Sequence, residues 1–293
     1  IQGLIKHFRP ELERRIAEAL VRGLGYTEVQ TYSFVSPMQV RHLGEKEGAF
    51  LELDNPLSKE RPFLRRNLVG NLLECLAKNR DFADELRLLE IGKVYHKEEK
   101  GEEMGGKDGG VLPRQDTWMT AVCTRQGNDS IFETAKRTLV MAMGAAACEY
   151  RVRVAVRPFS WQHPGKTGEM VVGGQVVGYL SEAHPKVSRA FDIPGRVGVF
   201  ELNMSALVSL AAGVSVSYKP VSVFPSVSRD IAVVVDQSVP HANLLEGIAG
   251  SDPLIHTVEL FDVYRDDILK GKKSLAYRLT LQSHDRTLTA EEA

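Results

Sequence analysis

Residues 224–236 read FPSVSRDIAVVVD, residues 261–265 read FDVYR, and residues 270–282 read KGKKSLAYRLTLQ. Arg229 to Asp236 is β-branched and apolar, the composition of a strand, and Asp236, Gln237, Ser238 and Pro240 break it. His241 to Ala249 spaces Leu244, Leu245, Ile248 and Ala249 as a helix does, with Gly250 as its stop. His256 to Tyr264 reads as a second strand, and Asp266, Asp267 and Gly271 form the turn after it. Lys273 to Gln282 alternates: Leu275, Tyr277, Leu279 and Leu281 fall on one face, Ser274, Ala276, Arg278 and Thr280 on the other. Thr289-Ala290-Glu291-Glu292 has capping-box spacing, which predicts a helix starting there.

Strand, helix, strand, strand and the start of a helix is most of a ferredoxin-like split βαβ unit, whose helices cover one face of the sheet and leave the other open. The leucines and Tyr277 suit the covered face, and the small and polar residues suit the open one. An open face of small, polar and aromatic side chains fits unpaired bases, which bind by stacking and edge hydrogen bonds.

Together with DRTLT at residues 285–289, these strings resemble the ferredoxin-fold anticodon-binding domain of phenylalanyl-tRNA synthetases. The resemblance implies reading positions at Asp262 and Tyr264 on the second strand, Ala232 on the first and Ser274 at the start of the third. The period of two puts Asp262 and Tyr264 on one face, and Ser274 lies opposite the leucines, so the alternation agrees. The surrounding basic patch adds a separate expectation, drawn from charge alone: Arg278, Lys272 and Lys273 hold phosphate. The resemblance also implies a second helix and a fourth strand beside the first. Both would follow Ala293, so the module as given is expected to lack them and to bind RNA weakly.

The length of 293 residues accommodates two domains, and 43% hydrophobic with 26% charged residues is ordinary for a soluble globular protein. A net charge of −1 gives no global basic field, so nucleic-acid contact must come from local patches. Three cysteines, Cys75, Cys123 and Cys148, show neither pairing nor metal-ligand spacing and read as thiols in a reducing compartment. No signal peptide and no membrane-length apolar run is evident, so the expected location is the cytoplasm, with no membrane partner.

Upstream, ELERRIAEALVRGLGY spaces Leu12, Ile16, Leu20 and Leu24 as an amphipathic helix, and Glu28 to Val35 reads as a strand closed by Ser36-Pro37. Phe50 to Leu53 is a short strand, Leu64 to Ala83 a helix, Leu86 to Tyr95 a strand, and Lys97 to Asp116 a charged, glycine-rich loop. Trp118 to Thr124, Val152 to Val156 and Val197 to Leu202 read as strands, Ile131 to Ala147 as a helix, and Gly173-Gly174 as a hairpin turn. LGYTEVQTYSFVSP, LDNPLSKERPFLRRNLVGNLLECLAKN and LRLLEIGKVY resemble the synthetase-like core of the β subunit of bacterial phenylalanyl-tRNA synthetase.

The expected fold is therefore α+β: a degenerate class II synthetase-like antiparallel-sheet core over 1–203, a linker over 204–223, and a truncated ferredoxin-like domain over 224–293. A class II catalytic site needs arginines on the ATP phosphates and a Gly-x-Gly-x-Gly-x-x-Arg element, and no such element occurs. Gly271 to Arg278 comes nearest and has lysine where the second glycine belongs. His163-Pro164-Gly165-Lys166 invites a catalytic reading, yet it lacks a carboxylate or nucleophile nearby and reads better as a rigid turn with a capping imidazole. Arg65 and Arg66 read as structural or interface residues.

The resemblance implies a non-catalytic portion of an α2β2 ligase that joins phenylalanine to its tRNA with ATP and Mg2+. Its partners would be the catalytic α subunit and tRNA(Phe), and this portion itself would bind no cofactor. The alternative is a regulatory or protein-interaction paralogue without tRNA selectivity, against which the Asp262/Tyr264 pair counts.

Overall fold

The computed structural model describes residues 2–103, 111–125, 127, 131–211, 222–289 and 292. They divide into two compact units, Ile1–Val216 and Ser217–Ala293. In chain order the first unit contains α1 (Gln2–Leu24), β1 (Thr27–Glu28), β2 (Phe34–Val35), α2 (Pro37–His42), β3 (Leu51–Glu52), β4 (Phe63–Leu64) and α3 (Val69–Asn79). It continues with β5 (Glu85–Glu103), β6 (Val111–Arg125), α4 (Ile131–Ala146), β7 (Arg151–Val154), β8 (Gln162–Val172), β9 (Gln175–Ala183), α5 (Pro185–Ala190), β10 (Val197–Asn203) and α6 (Met204–Ala211).

A seven-stranded sheet runs β1-β5-β6-β10-β9-β8-β7. It is antiparallel except where β1 joins β5. Both faces are covered. Phe200 and Leu202 of β10 join Leu12, Ile16 and Leu20 of α1 and Leu139 and Met143 of α4. Val197 and Val199, pointing the other way, join Leu68 and Leu72, Leu73 and Leu76 of α3. Each such leucine or phenylalanine taken out of water contributes about 1.5–3 kcal/mol, which is why the helices dock by their apolar stripes.

The sequence reading and the structure part company at three places in this unit. Glu28 to Val35 is not one strand. The chain leaves β1 for a small sheet ordered β2-β4-β3, and the crossing is held by Val29 N–H on the Leu89 carbonyl (2.8 Å) and Thr31 Oγ1 on Glu90 (2.6 Å). Leu64 belongs to β4 rather than to the following helix, because Arg65 N–H donates to Ser33 and the Arg65 carbonyl accepts from Tyr95 N–H. The helix starts at Val69, with Asn67 Oδ1 accepting from Gly70 N–H. Of the loop expected over Lys97 to Asp116, the described residues belong to β5 and β6, paired antiparallel with bulges between His96 and Lys100 and between Lys100 and Glu103; residues 104–110 lie outside the described residues. Arg114 pairs across the strands with Glu99 and along β6 with Asp116, so a charged composition coexists with strand pairing.

Short signals were informative. Ser36 Oγ accepts from Gln39 N–H (3.1 Å) and Pro37 takes the first helical position, so the stop signal also starts α2. Gly173 and Gly174, at φ +55° and +83°, make the two-residue hairpin turn. His163-Pro164-Gly165 sits at the register shift of β8, and His163 Nδ1 accepts from Gly165 N–H (3.1 Å), a capping imidazole within a bulge. The range assigned to a linker begins with α6, whose Met204, Leu207 and Val208 are buried in the first core; residues 212–221 lie outside the described residues.

The second unit contains β11 (Val227–Asp236), α7 (His241–Ala249), β12 (Ile255–Tyr264) and β13 (Lys272–Leu281). Its sheet is ordered β11-β13-β12 with both pairs antiparallel, the arrangement of a split βαβ unit. Leu244 and Ile248 of α7 pack against Leu275, Tyr277, Leu279 and the inward side chains of β11 and β12. The Tyr277 hydroxyl meets His241 Nδ1 at 3.0 Å, which satisfies the one polar atom that this buried ring carries. At the predicted capping box, Glu292 Oε2 accepts from Thr289 N–H (3.0 Å), the reciprocal bond of that motif; Ala290 and Glu291, where the helix would begin, lie outside the described residues.

Candidate nucleic-acid interface

The alternation of β13 sends Ser274, Ala276 and Arg278 to the face that α7 does not cover, and the register then fixes their neighbours. Ser274 lies between Val234 and Tyr264, Ala276 between Ala232 and Asp262, and Arg278 between Asp230 and Glu259. All four residues that the resemblance pointed to, Ala232, Asp262, Tyr264 and Ser274, therefore occupy two adjacent rows of one open face. Small side chains at Ala232 and Ala276 keep the centre of that face low, so a flat group can lie on it beside Tyr264.

Tyr264 is half exposed, and its hydroxyl donates to Asp266 Oδ2 (2.8 Å), which fixes where the ring stands. That bond raises the Tyr264 pKa; Asp266 is lowered first by Ile268 N–H and then by the tyrosine. Asp262 is exposed, and its Oδ1 accepts from Val263 N–H (2.8 Å), which orients the carboxylate. Arg278 makes two 2.9 Å bonds to Asp230, whose carboxyl is held below its ordinary range by that guanidinium.

Phe261 is the residue that sequence reasoning missed. Strict alternation from Asp262 assigns it to the covered face. A bulge between Leu260 and Asp262 turns it outward instead, half exposed, with the Arg278 guanidinium 5.2 Å from its ring centroid. The open face thus carries two exposed aromatic rings, Phe261 and Tyr264, on either side of Asp262.

Of the three expected phosphate-binding residues, Lys272 and Arg278 are exposed. Lys273 is not on this face. It shares the side of Leu275, is 8% exposed, and its ammonium is bonded to the carbonyls of Gln237 (3.0 Å) and Val239 (2.6 Å). Lys273 closes the turn from β11 into α7, and its ammonium is not available to phosphate on the open face. Its parity with the leucines was readable from the start; charge alone suggested otherwise.

In the first unit, Lys166 is bonded to the buried Glu182 (2.6 Å) rather than free for an anion. Arg65 is buried with Glu90 at 2.7 Å and bonds Thr31 Oγ1 and the Lys93 carbonyl, a structural role. A Cβ on Gly92 would stand 2.2 Å from its guanidinium, so glycine is required there. One cavity of this unit is lined by Glu45 and Glu201. Lys46, Arg66 and His96 line it as well, and no group of three potential metal ligands occurs among the described residues. No helix among the described residues is long and apolar enough to cross a membrane.

The family model of the phenylalanyl-tRNA synthetase beta chain CLM domain matches residues 5–204, and that of the ferredoxin-fold anticodon-binding domain matches residues 222–293. The phenylalanine–tRNA ligase beta subunit of Geobacillus kaustophilus is 34% identical over 96% of this chain and 35% of its own length. That of Streptomyces avermitilis is 34% identical over 97% of this chain and 38% of its own length. The chain thus spans little more than a third of the curated relatives it matches. Pyrrolysyl-tRNA synthetase from Desulfitobacterium hafniense superposes with a TM-score of 0.54 at 17% identity over 70% of each chain, a likeness of fold alone. The open-faced split βαβ unit, the two-faced antiparallel core and both family models agree, and the chain belongs to the phenylalanyl-tRNA synthetase beta chain family.

Proposed function

We propose that this chain is the non-catalytic, tRNA-reading portion of a phenylalanine–tRNA ligase. The observation that carries the reading is the open face of β11-β13-β12, where Ala232, Asp262, Tyr264 and Ser274 adjoin one another. Tyr264 stacks on an unpaired anticodon base, Asp262 accepts from a base edge, Ser274 bonds within the same row, and Ala232 leaves room for the base plane. Phe261 is a second stacking ring. Lys272 and Arg278 meet phosphate, Arg278 by exchanging one of its bonds to Asp230.

Ligation belongs to the whole enzyme. There the catalytic alpha subunit uses ATP and Mg2+ to join phenylalanine to tRNA(Phe), in an α2β2 assembly in the cytoplasm. This portion scaffolds that subunit through its first unit. The support is the family membership, together with a core sheet of synthetase type.

The test is anisotropy titration of a labelled tRNA(Phe) anticodon stem–loop. Tyr264→Ala is expected to weaken binding by about 1–3 kcal/mol, the worth of one base–aromatic stack, with no change in the denaturation midpoint. Affinity equal to that of the unsubstituted chain would overturn the stacking role.

A further inference from the structure

The first unit holds a cavity of about 380 Å3 that the anticodon reading does not use, a volume within the range of small-molecule sites. Glu45, Arg66, Trp118, Phe159, Trp161 and Glu201 are among the residues that line it. Its wall is aromatic: Phe159 stacks on Trp161 with centroids 6.0 Å apart and meets Tyr179 edge-on at 5.2 Å. Glu201 is 3% exposed, and among the described residues its hydrogen bond is a 3.5 Å contact from Thr120 Oγ1, with no lysine or arginine in ion-pair range. The other acid, Glu45, has Arg66 at 3.9 Å. Trp118 Nε1 and Arg66 Nε are buried without a hydrogen-bond partner.

A carboxyl so buried and so weakly bonded is costly unless something completes it. Glu45 already has Arg66 beside it, so the acid left without a basic partner is Glu201, and a cation is what would complete its ionised form. An ammonium held by a carboxylate and flanked by aromatic faces is the arrangement that recognises organic amines. We propose that this cavity binds a small organic cation, a primary ammonium on a flat apolar body, with Glu201 bonding the ammonium and Phe159, Trp161 and Trp118 enclosing the body.

Burial, and after it the charge of Glu45, pushes the Glu201 carboxyl up to about 8. At pH 7 it is therefore largely protonated, and binding an ammonium releases that proton to the buffer. Tyr179 also responds to Glu201, and Lys46, Arg66 and His96 line the remaining side of the cavity.

Calorimetry with benzylamine and its neutral counterpart benzyl alcohol tests this on the whole chain, in two buffers of different ionisation enthalpy. Saturable binding of one benzylamine, with net proton release, is expected, and the alcohol should bind about ten-fold or more weakly. Glu201→Gln should weaken the amine by about ten-fold or more and leave the alcohol unchanged. No saturable amine binding, equal binding of amine and alcohol, or undiminished amine binding by a folded Glu201→Gln chain would each overturn the proposal. Should that variant fail to fold, the contrast between the two probes on the unsubstituted chain decides it.

Discussion

Every residue of β10 from Val197 to Asn203 is buried, Glu201 included, whereas in β13 only the side shared by Lys273, Leu275, Tyr277 and Leu279 is. Both strands sit in the middle of antiparallel sheets. What separates them is the second layer. Helices cover both faces of the core sheet, so a polar side chain on either face is drawn out of water and must find a partner inside, as Arg65 and Glu90 do. The terminal sheet has α7 on one face, and its other face keeps Asp230, Arg278, Asp262 and Tyr264 in water, where charges contribute little to stability and remain exchangeable for a ligand. One pattern of alternation therefore gives a closed core in one unit and an open face in the other.

Four perturbations sharpen this contrast. The largest concerns Glu201, whose folded-state pKa is raised from the ordinary 4.5 to about 8. Between those values the native state holds a proton that the unfolded chain has released. The stability that Glu201 contributes is therefore full below about pH 4 and is lost as pH rises through about 8, by roughly 4–5 kcal/mol. Denaturant titrations at several pH values should show that slope, and Glu201→Gln should flatten it; a slope unchanged in the variant would refute the assignment. Next, Glu90→Ala strands the buried Arg65 guanidinium and is expected to cost about 3–5 kcal/mol in the same assay.

The two neighbouring lysines make a smaller and more discriminating pair. Lys273→Met should lose about 1–3 kcal/mol of stability, because its ammonium satisfies two turn carbonyls. Lys272→Met should leave stability within about 0.5 kcal/mol and lower the salt dependence of RNA binding by about one counterion. If the two behaved alike, the division between covered and open faces would be wrong. The smallest effect belongs to Asp230→Ala: its exposed ion pair with Arg278 is expected to leave the denaturation midpoint unmoved.

The terminal unit was legible in the sequence because period-two alternation, a helix stop at Gly250 and the break at Pro240 are local signals. The same logic read the helices over Leu12–Leu24 and Ile131–Ala146. It failed where tertiary context decides. Leu64 fits a helical stripe with Leu68, yet ladder bonds from Ser33 and Tyr95 hold its neighbour Arg65 in extended chain. The Lys97–Asp116 stretch has loop composition, but its described residues pair as strands, with Arg114 bonded across to Glu99 and along its own strand to Asp116. A single bulge, which no alternation rule anticipates, turns Phe261 outward, and Lys273 has the charge of a phosphate contact but the parity of the buried leucines. Glu201 had no signal at all: one glutamate inside VGVFELN becomes notable only when Thr120, Glu45 and the aromatic wall assemble around it.

We propose that the uncovered face of the terminal sheet reads single-stranded RNA. The most direct test is photocrosslinking of the chain to a tRNA(Phe) anticodon stem–loop carrying 4-thiouridine in the anticodon, with the attachment sites identified by mass spectrometry. Crosslinks at Tyr264 and Phe261, suppressed by excess unlabelled stem–loop, are the result this account predicts. Specific crosslinks confined to α7 or to the first unit, with none on β12 or β13, would contradict it.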